Sequence, residues 1–133
     1  MNNQKERTLA RECIIKILYQ YDMTQYNFKS IENTFVEKRK YDDIYFKNIL
    51  DLLEVNILFI DKFIEENTDV RLEDLSPIDK AIVRLAICEF LYREDIPEKV
   101  TINESISIAK KFSTDDSYKF INNILDQLYK YIS

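Results

Sequence analysis

Apolar residues return every three or four positions along most of the chain, and that period predicts helix almost throughout. From Leu9 the positions Leu9, Cys13, Ile17 and Tyr21 repeat at i+4, with Ile14 and Leu18 widening the stripe. A polar stretch over 22–29 interrupts the rhythm. Ser30 is then the expected cap of a short helix carrying Ile31, Phe35 and Val36. Asp42 and Asp43 open a long helix in which Phe46, Ile49, Leu50, Leu53, Ile57, Ile60 and Ile64 share one face.

The second half is more sharply punctuated. Ser76-Pro77-Ile78-Asp79 reads as a helix start, with a serine cap, proline at the first helical position and an acid in the first turn. From Ile78 to Tyr92 nearly every side is apolar, which predicts the central, most buried helix. Ile96-Pro97 ends it. Thr101 followed by Glu104 has the spacing of a capping box, for a helix running to about Phe112. Ser113, Asp115 and Asp116 are expected to start a last helix that turns Ile121, Ile124, Leu125, Leu128 and Ile132 inward. No repeat, low-complexity segment or strand pattern stands out. The expected fold is an all-α, orthogonal-type bundle of about six or seven helices in two sub-bundles meeting near Arg71. It is expected to be a single domain over 1–133.

Composition narrows the chemistry. At 133 residues and 46% hydrophobic the chain has the material for one core. No apolar run reaches the ~20 residues of a membrane span, and no signal-peptide pattern opens the chain, so it is expected to be cytoplasmic. Histidine is absent, which excludes an imidazole base or metal ligand. Glycine is also absent, which excludes Gly-rich phosphate loops. Cys13 and Cys88 lie in apolar helical stretches and read as buried free thiols.

Adjacent acids at Asp42/Asp43, Glu65/Glu66, Glu73/Asp74 and Asp115/Asp116 suggest paired carboxylates. Most sit at helix ends, where an acid complements the macrodipole or solvates the surface. No catalytic residue, metal site or cofactor is expected. The net charge of −5 is unevenly spread. Residues 1–20 hold four basic and two acidic side chains, residues 21–79 seven and fourteen, and residues 110–133 four and three. Both ends are therefore mildly basic, and local charge is what a phosphate senses. Lys5, Arg7 and Arg11 on the opening helix either solvate a face or meet phosphates. Lys119 and Phe120, with Asn122 near them and Lys110 and Lys111 upstream, form either a surface for an unstacked base or, at Phe120, part of the core.

The stretch 76–128 contains IDKAIVRLA, the turn DIP, VTINESISIAKKF and SYKFINNILD, and it closely resembles the C-terminal half of the NusB family of bacterial transcription antitermination factors. The opening RTLARECIIKILYQYD is similar to that family's first helix, so the resemblance covers nearly the whole chain. Some ribosomal RNA methyltransferases carry a similar domain, and the present length has no room for their catalytic part. The resemblance implies a NusB-like all-α fold without enzymatic activity. It implies pairing with NusE, a small-subunit ribosomal protein, and joint binding of single-stranded boxA RNA within an antitermination complex with RNA polymerase.

Carried over by position, the resemblance implies RNA contacts at Lys5, Arg7, Arg11, Asp116, Lys119 and Phe120, and partner contacts at Tyr19 and Asp79. Monomer and homodimer both stay open. Two departures stand out: the opening QKERTLAR is less arginine-rich than the family's usual start, and Ser113 and Asn123 stand where glycines are common. The first implies weaker RNA binding alone, the second an altered turn and helix surface. A rival reading is an assembly protein whose ligand is mainly ribosomal protein, with RNA incidental. The acidic pI of 4.9 supports it.

Overall fold

The structure, a computed structural model, describes residues 3–132 and contains among them six α-helices, one short 3-10 turn and no strand. The helices are α1 (Asn3–Thr24), α2 (Phe28–Thr34), α3 (Asp43–Glu66), α4 (Pro77–Tyr92), α5 (Glu98–Phe112) and α6 (Ser117–Tyr129), with the 3-10 turn at Leu72–Asp74. Two starts fall where local chemistry placed them. Asp42 Oδ1 accepts the Tyr45 amide at 3.0 Å to open α3. Ser76 Oγ accepts the Asp79 amide at 3.1 Å to open α4, with Pro77 in its first turn.

Three starts differ. The cap of α2 is Asn27, whose Oδ1 accepts the Ser30 amide at 2.8 Å, so Ser30 receives the cap instead of supplying it. Val36 then lies beyond the helix and stays exposed. α5 begins at Glu98, directly after Pro97, so Thr101 and Glu104 lie inside the helix and turn their side chains towards α4 and α1. A proline has no amide to satisfy and a fixed φ suited to a helix entry, which moves the start a turn earlier. α6 begins only at Ser117, and Asp116 makes no side-chain capping bond. Ser113 closes α5 in extended backbone at φ −109° and ψ −171°, a conformation that needs no glycine. Gln25, at φ 64°, takes the left-handed turn after α1 that glycine usually serves.

α4 lies at the centre and packs against α1, α3, α5 and α6. The helices before and after the Arg71 connection form the two expected halves, joined through one continuous buried cluster. Among the described residues no helix is long and apolar enough to cross a membrane. Cys13 and Cys88 are both buried and free. Burial first, then the nearby carboxylates of Glu37 and Glu89, push their thiols up to about 11 and about 12 respectively.

The apolar centre holds one carboxylate that is almost wholly enclosed. Glu89, 1% exposed, accepts from Arg11 Nε at 2.7 Å and Nη2 at 3.2 Å, from Thr101 Oγ1 at 2.7 Å, and from the Tyr45 hydroxyl. Burial, reinforced by the charge of Glu89, pushes the Tyr45 hydroxyl well above its ordinary pKa, so it remains a donor. Arg11 Nη1 reaches Glu104 Oε1 at 2.9 Å, which also accepts the Thr8 hydroxyl at 2.6 Å. Four helices, α1, α3, α4 and α5, thus meet at two carboxylates. Removing one partner from such a pair leaves a buried charge without compensation. Glu89→Ala is therefore expected to lower stability by roughly 3–5 kcal/mol. In urea unfolding this appears as a lower midpoint at an unchanged slope; a midpoint equal to wild type contradicts the assignment.

Candidate nucleic-acid interface

The basic residues of α1 point in different directions. Lys5 lines a cleft of about 500 Å³ together with Glu6, Thr8, Leu9, Glu12, Arg39, Lys40 and Lys111. Arg7 turns the other way: its Nε donates to Asp42 Oδ2 at 3.0 Å and its guanidinium lies 4.8 Å from the Tyr45 ring centroid. A third of its side chain remains exposed. Arg11 is 4% exposed, and its donors are committed to Glu89 and Glu104. A cation held in that way faces the interior here, whereas the sequence suggested an Arg11 that meets phosphates. Its i+4 place after Arg7 suggested a shared face, but the carboxylates of α4 and α5 draw it inward.

The cleft brings together cations from three parts of the chain: the start of α1, the α2–α3 connection and the end of α5. Lys111 Nζ is 3.1 Å from Glu12 Oε2, which ties the last turn of α5 to α1. Arg39 is anchored by Glu37, with Nε to Oε2 and Nη2 to Oε1 both at 3.0 Å. The side-chain and backbone hydrogen bonds of Arg39 hold the Glu37 carboxyl down to about 2. Sequence reading passed over Arg39 and Lys40, because a charge run in a connection carries no periodicity. The adjacent K-R-K triplet at 38–40 was the only signal available.

A second group of cations and rings lies at the α5–α6 connection. Lys110 Nζ stands 4.6 Å from the Tyr118 ring centroid and Lys119 Nζ 5.9 Å from the same centroid. Phe112 and Phe120 are both partly exposed, so Phe120 is not a core residue. Asp116 is 91% exposed and lies 4.0 Å from Lys119 Nζ. Flat aromatic faces beside ammonium groups suit an unstacked base and its phosphate.

The two residues expected to meet a protein partner part company. Tyr19 is partly exposed and, with Lys16, Gln20 and Ile78, lines a shallow depression between α1 and α4. Asp79 is 7% exposed, and both its oxygens face inward. Ser113 Oγ donates to Oδ1 at 2.6 Å and Ser117 Oγ to Oδ2 at 3.1 Å, so Asp79 clamps the α5–α6 connection. The sequence suggested that Asp79 meets a partner; in this structure its two oxygens serve this internal role. Among the described residues no group of three or more His, Cys, Asp or Glu is placed to hold a metal ion.

Comparison with known proteins adds a family to this geometry. The model of the NusB family matches residues 8–130. The transcription antitermination protein NusB of Shewanella denitrificans is 38% identical over 128 residues, 94% of this chain and 96% of that protein. The protein of the same name from Proteus mirabilis is 38% identical over 124 residues, 91% and 90% of the two chains. Among solved structures, T. maritima NusB superposes with a TM-score of 0.83 at 32% identity, covering 93% of this chain and 90% of that one. A structure of the antitermination factors NusB and NusE in complex with dsRNA gives 0.79 at 24% identity, covering 96% and 98%, and supports the fold.

Asp79 and Tyr19 separate cleanly in a stability experiment. Asp79→Ala deprives two hydroxyls of their acceptor and is expected to cost roughly 1–3 kcal/mol. Tyr19→Ala, on an open surface, is expected to change stability by less than about 0.5 kcal/mol. Thermal unfolding of the two variants checks this; equal losses contradict the inward placement of Asp79.

Proposed function

The chain belongs to the NusB family, and on that footing we propose that it is a transcription antitermination factor that acts with NusE on boxA RNA. In this reading the pair binds nascent ribosomal RNA transcripts and promotes read-through by RNA polymerase. The chain is a non-enzymatic binding module without a cofactor, working in the cytoplasm as one RNA-binding domain. The observation that carries the RNA reading is the convergence of Lys5, Arg39, Lys40 and Lys111 on one cleft of a chain whose net charge is −5.

The chemistry follows from that placement. Phosphates entering the cleft exchange condensed counterions for ammonium groups, which makes affinity fall with salt. Bases turned out of the strand stack on Phe112 and Phe120, between lysines that neutralise the backbone. Arg7, a third exposed on the other side of α1, is a second contact for the RNA backbone, and Arg11 serves the site indirectly by fixing α1. The depression at Tyr19 lies on α1 beyond Arg11, so a protein partner there leaves the cleft open.

Lys5→Ala and Lys111→Ala are each expected to lower the log–log salt slope for single-stranded RNA by about 0.7. Asp116→Asn acts in the opposite direction. It removes an exposed charge that competes for Lys119 and repels phosphate, and is expected to tighten binding by up to about tenfold. Titration of labelled boxA-type RNA at several salt concentrations reads both effects. An unchanged slope in the lysine double variant, or weaker binding by Asp116→Asn, places the RNA on another surface.

A further inference from the structure

Asp42 fastens the α2–α3 connection to α1 with both its backbone and its side chain. Its amide donates to the Glu6 carbonyl at 3.1 Å. Its Oδ2 accepts from Arg7 Nε at 3.0 Å, while Oδ1 is taken by the Tyr45 amide as the cap of α3. Burial opposes ionisation there, but the Tyr45 amide and the Arg7 guanidinium outweigh it and hold the carboxyl below its ordinary pKa. Arg39 and Lys40 precede Asp42 by three and two residues, so at ~3.5 Å per residue their backbone stays within about 11 and 7 Å of it. The anchor on Glu6 thus limits how far those two cations can stray from Lys5 in the cleft. On the opposite side, Asp42 engages Arg7 through Nε alone, and the Tyr45 ring centroid lies 4.8 Å from the guanidinium. Among the described residues no hydrogen bond or ion pair takes Arg7 Nη1 or Nη2. Arg7 lines a second cavity, of about 440 Å³, with Gln4, Pro97 and Val100.

We propose that Asp42 is a positioning residue for RNA: by holding Arg7 at Nε it aims Nη1 and Nη2 at a phosphate, and by the same contact it keeps the α2–α3 connection on α1. This rests on the reading of the cleft and its flank as an RNA site, and adds a residue that does not itself touch the strand. Simple electrostatics gives the opposite sign. A carboxylate near a phosphate repels it, so charge alone predicts tighter binding when Asp42 is neutralised, as for Asp116. Positioning predicts weaker binding. An asparagine at 42 still caps α3 through its oxygen. The amide group it turns to Arg7 is a donor facing a donor, so the guanidinium is released. A released side chain has to be ordered by the RNA, at an entropic cost that the carboxylate otherwise removes. Asp116 has no such duty, since it is 91% exposed and stands 4.0 Å from Lys119 Nζ.

Titration of labelled boxA-type RNA with the full chain at several salt concentrations decides between the two signs. Asp42→Asn is expected to bind about three- to tenfold more weakly. Its log–log salt slope is expected to fall by about 0.7 as the Arg7 contact is lost. Asp42→Ser, whose shorter side chain caps α3 without reaching Arg7, is expected to do the same. Both variants are expected to match the wild-type circular dichroism at the assay temperature. In an Arg7→Ala background Asp42→Asn is expected to weaken binding no further, because the group it positions is gone. Equal or tighter binding by Asp42→Asn overturns the proposal, and so does a loss of the same size with Arg7 and without it. If Lys5→Ala and Lys111→Ala leave the slope unchanged, the RNA reading of the cleft falls and takes this proposal with it. If they lower it while Asp42→Asn does not weaken binding, only the positioning role falls.

Discussion

A carboxylate enclosed in the centre of an apolar bundle has to find donors, and Glu89 finds four of them on three other helices. Apolar packing by itself tolerates sliding and rotation, because one aliphatic contact resembles the next. The Glu89 network does not. If α1 shifted by one turn, Arg11 would lose both carboxylates; if α3 rotated, the Tyr45 hydroxyl would turn away. Such a buried pair adds little net stability over an apolar replacement of equal volume. Its effect is to fix the register of α1, α3, α4 and α5.

Two further charges on α4 work in the same manner towards other neighbours. Arg84 forks onto Asp61 of α3 with two contacts of 2.8 Å and leans towards Asp22 of α1 at 3.7 Å. Asp79 holds the hydroxyls of Ser113 and Ser117 where α5 passes into α6. Spaced five residues apart, these three charges point around the helix in successive directions, one to each group of neighbours. The functional surface follows from them. With Arg11 pinned inside, the first turn of α1 projects Lys5 into the cleft. With Asp79 gripping the α5–α6 connection, Lys110 and Lys119 are held at the Tyr118 ring.

The helices themselves were legible where period and cap coincided. Asp42 and Ser76 combine an N-cap side chain with an apolar period directly after it, and both open helices as expected. Ser30 and the Thr101/Glu104 pair have capping chemistry too, yet Asn27 and Pro97 stand just ahead of them and take the start. The centrality of α4 was legible from its apolar sides, but the same uniformity hid the roles of Arg84 and Glu89. Spacing reports the face a residue occupies, not which helix lies opposite. The inward bonds of Arg11 and Asp79 were not legible for that reason. A guanidinium or carboxylate near a helix start looks outward until its buried partners, distant in sequence, are known. Ser113 shows the reverse: it stands where glycine is common in the family it resembles, and its hydroxyl makes a bond that glycine lacks.

The central claim is that one face, set by buried ion pairs, gathers cations from separate segments for an RNA backbone. Lysine acetylation footprinting of the protein, free and with boxA-type RNA, tests it most directly by mass spectrometry. RNA is expected to protect Lys5, Lys40, Lys111 and Lys119, while Lys29 and Lys62 on other surfaces stay as reactive as in the free protein. Protection confined to Lys29 or Lys62, with the four cleft and α6 lysines unchanged, would contradict the account.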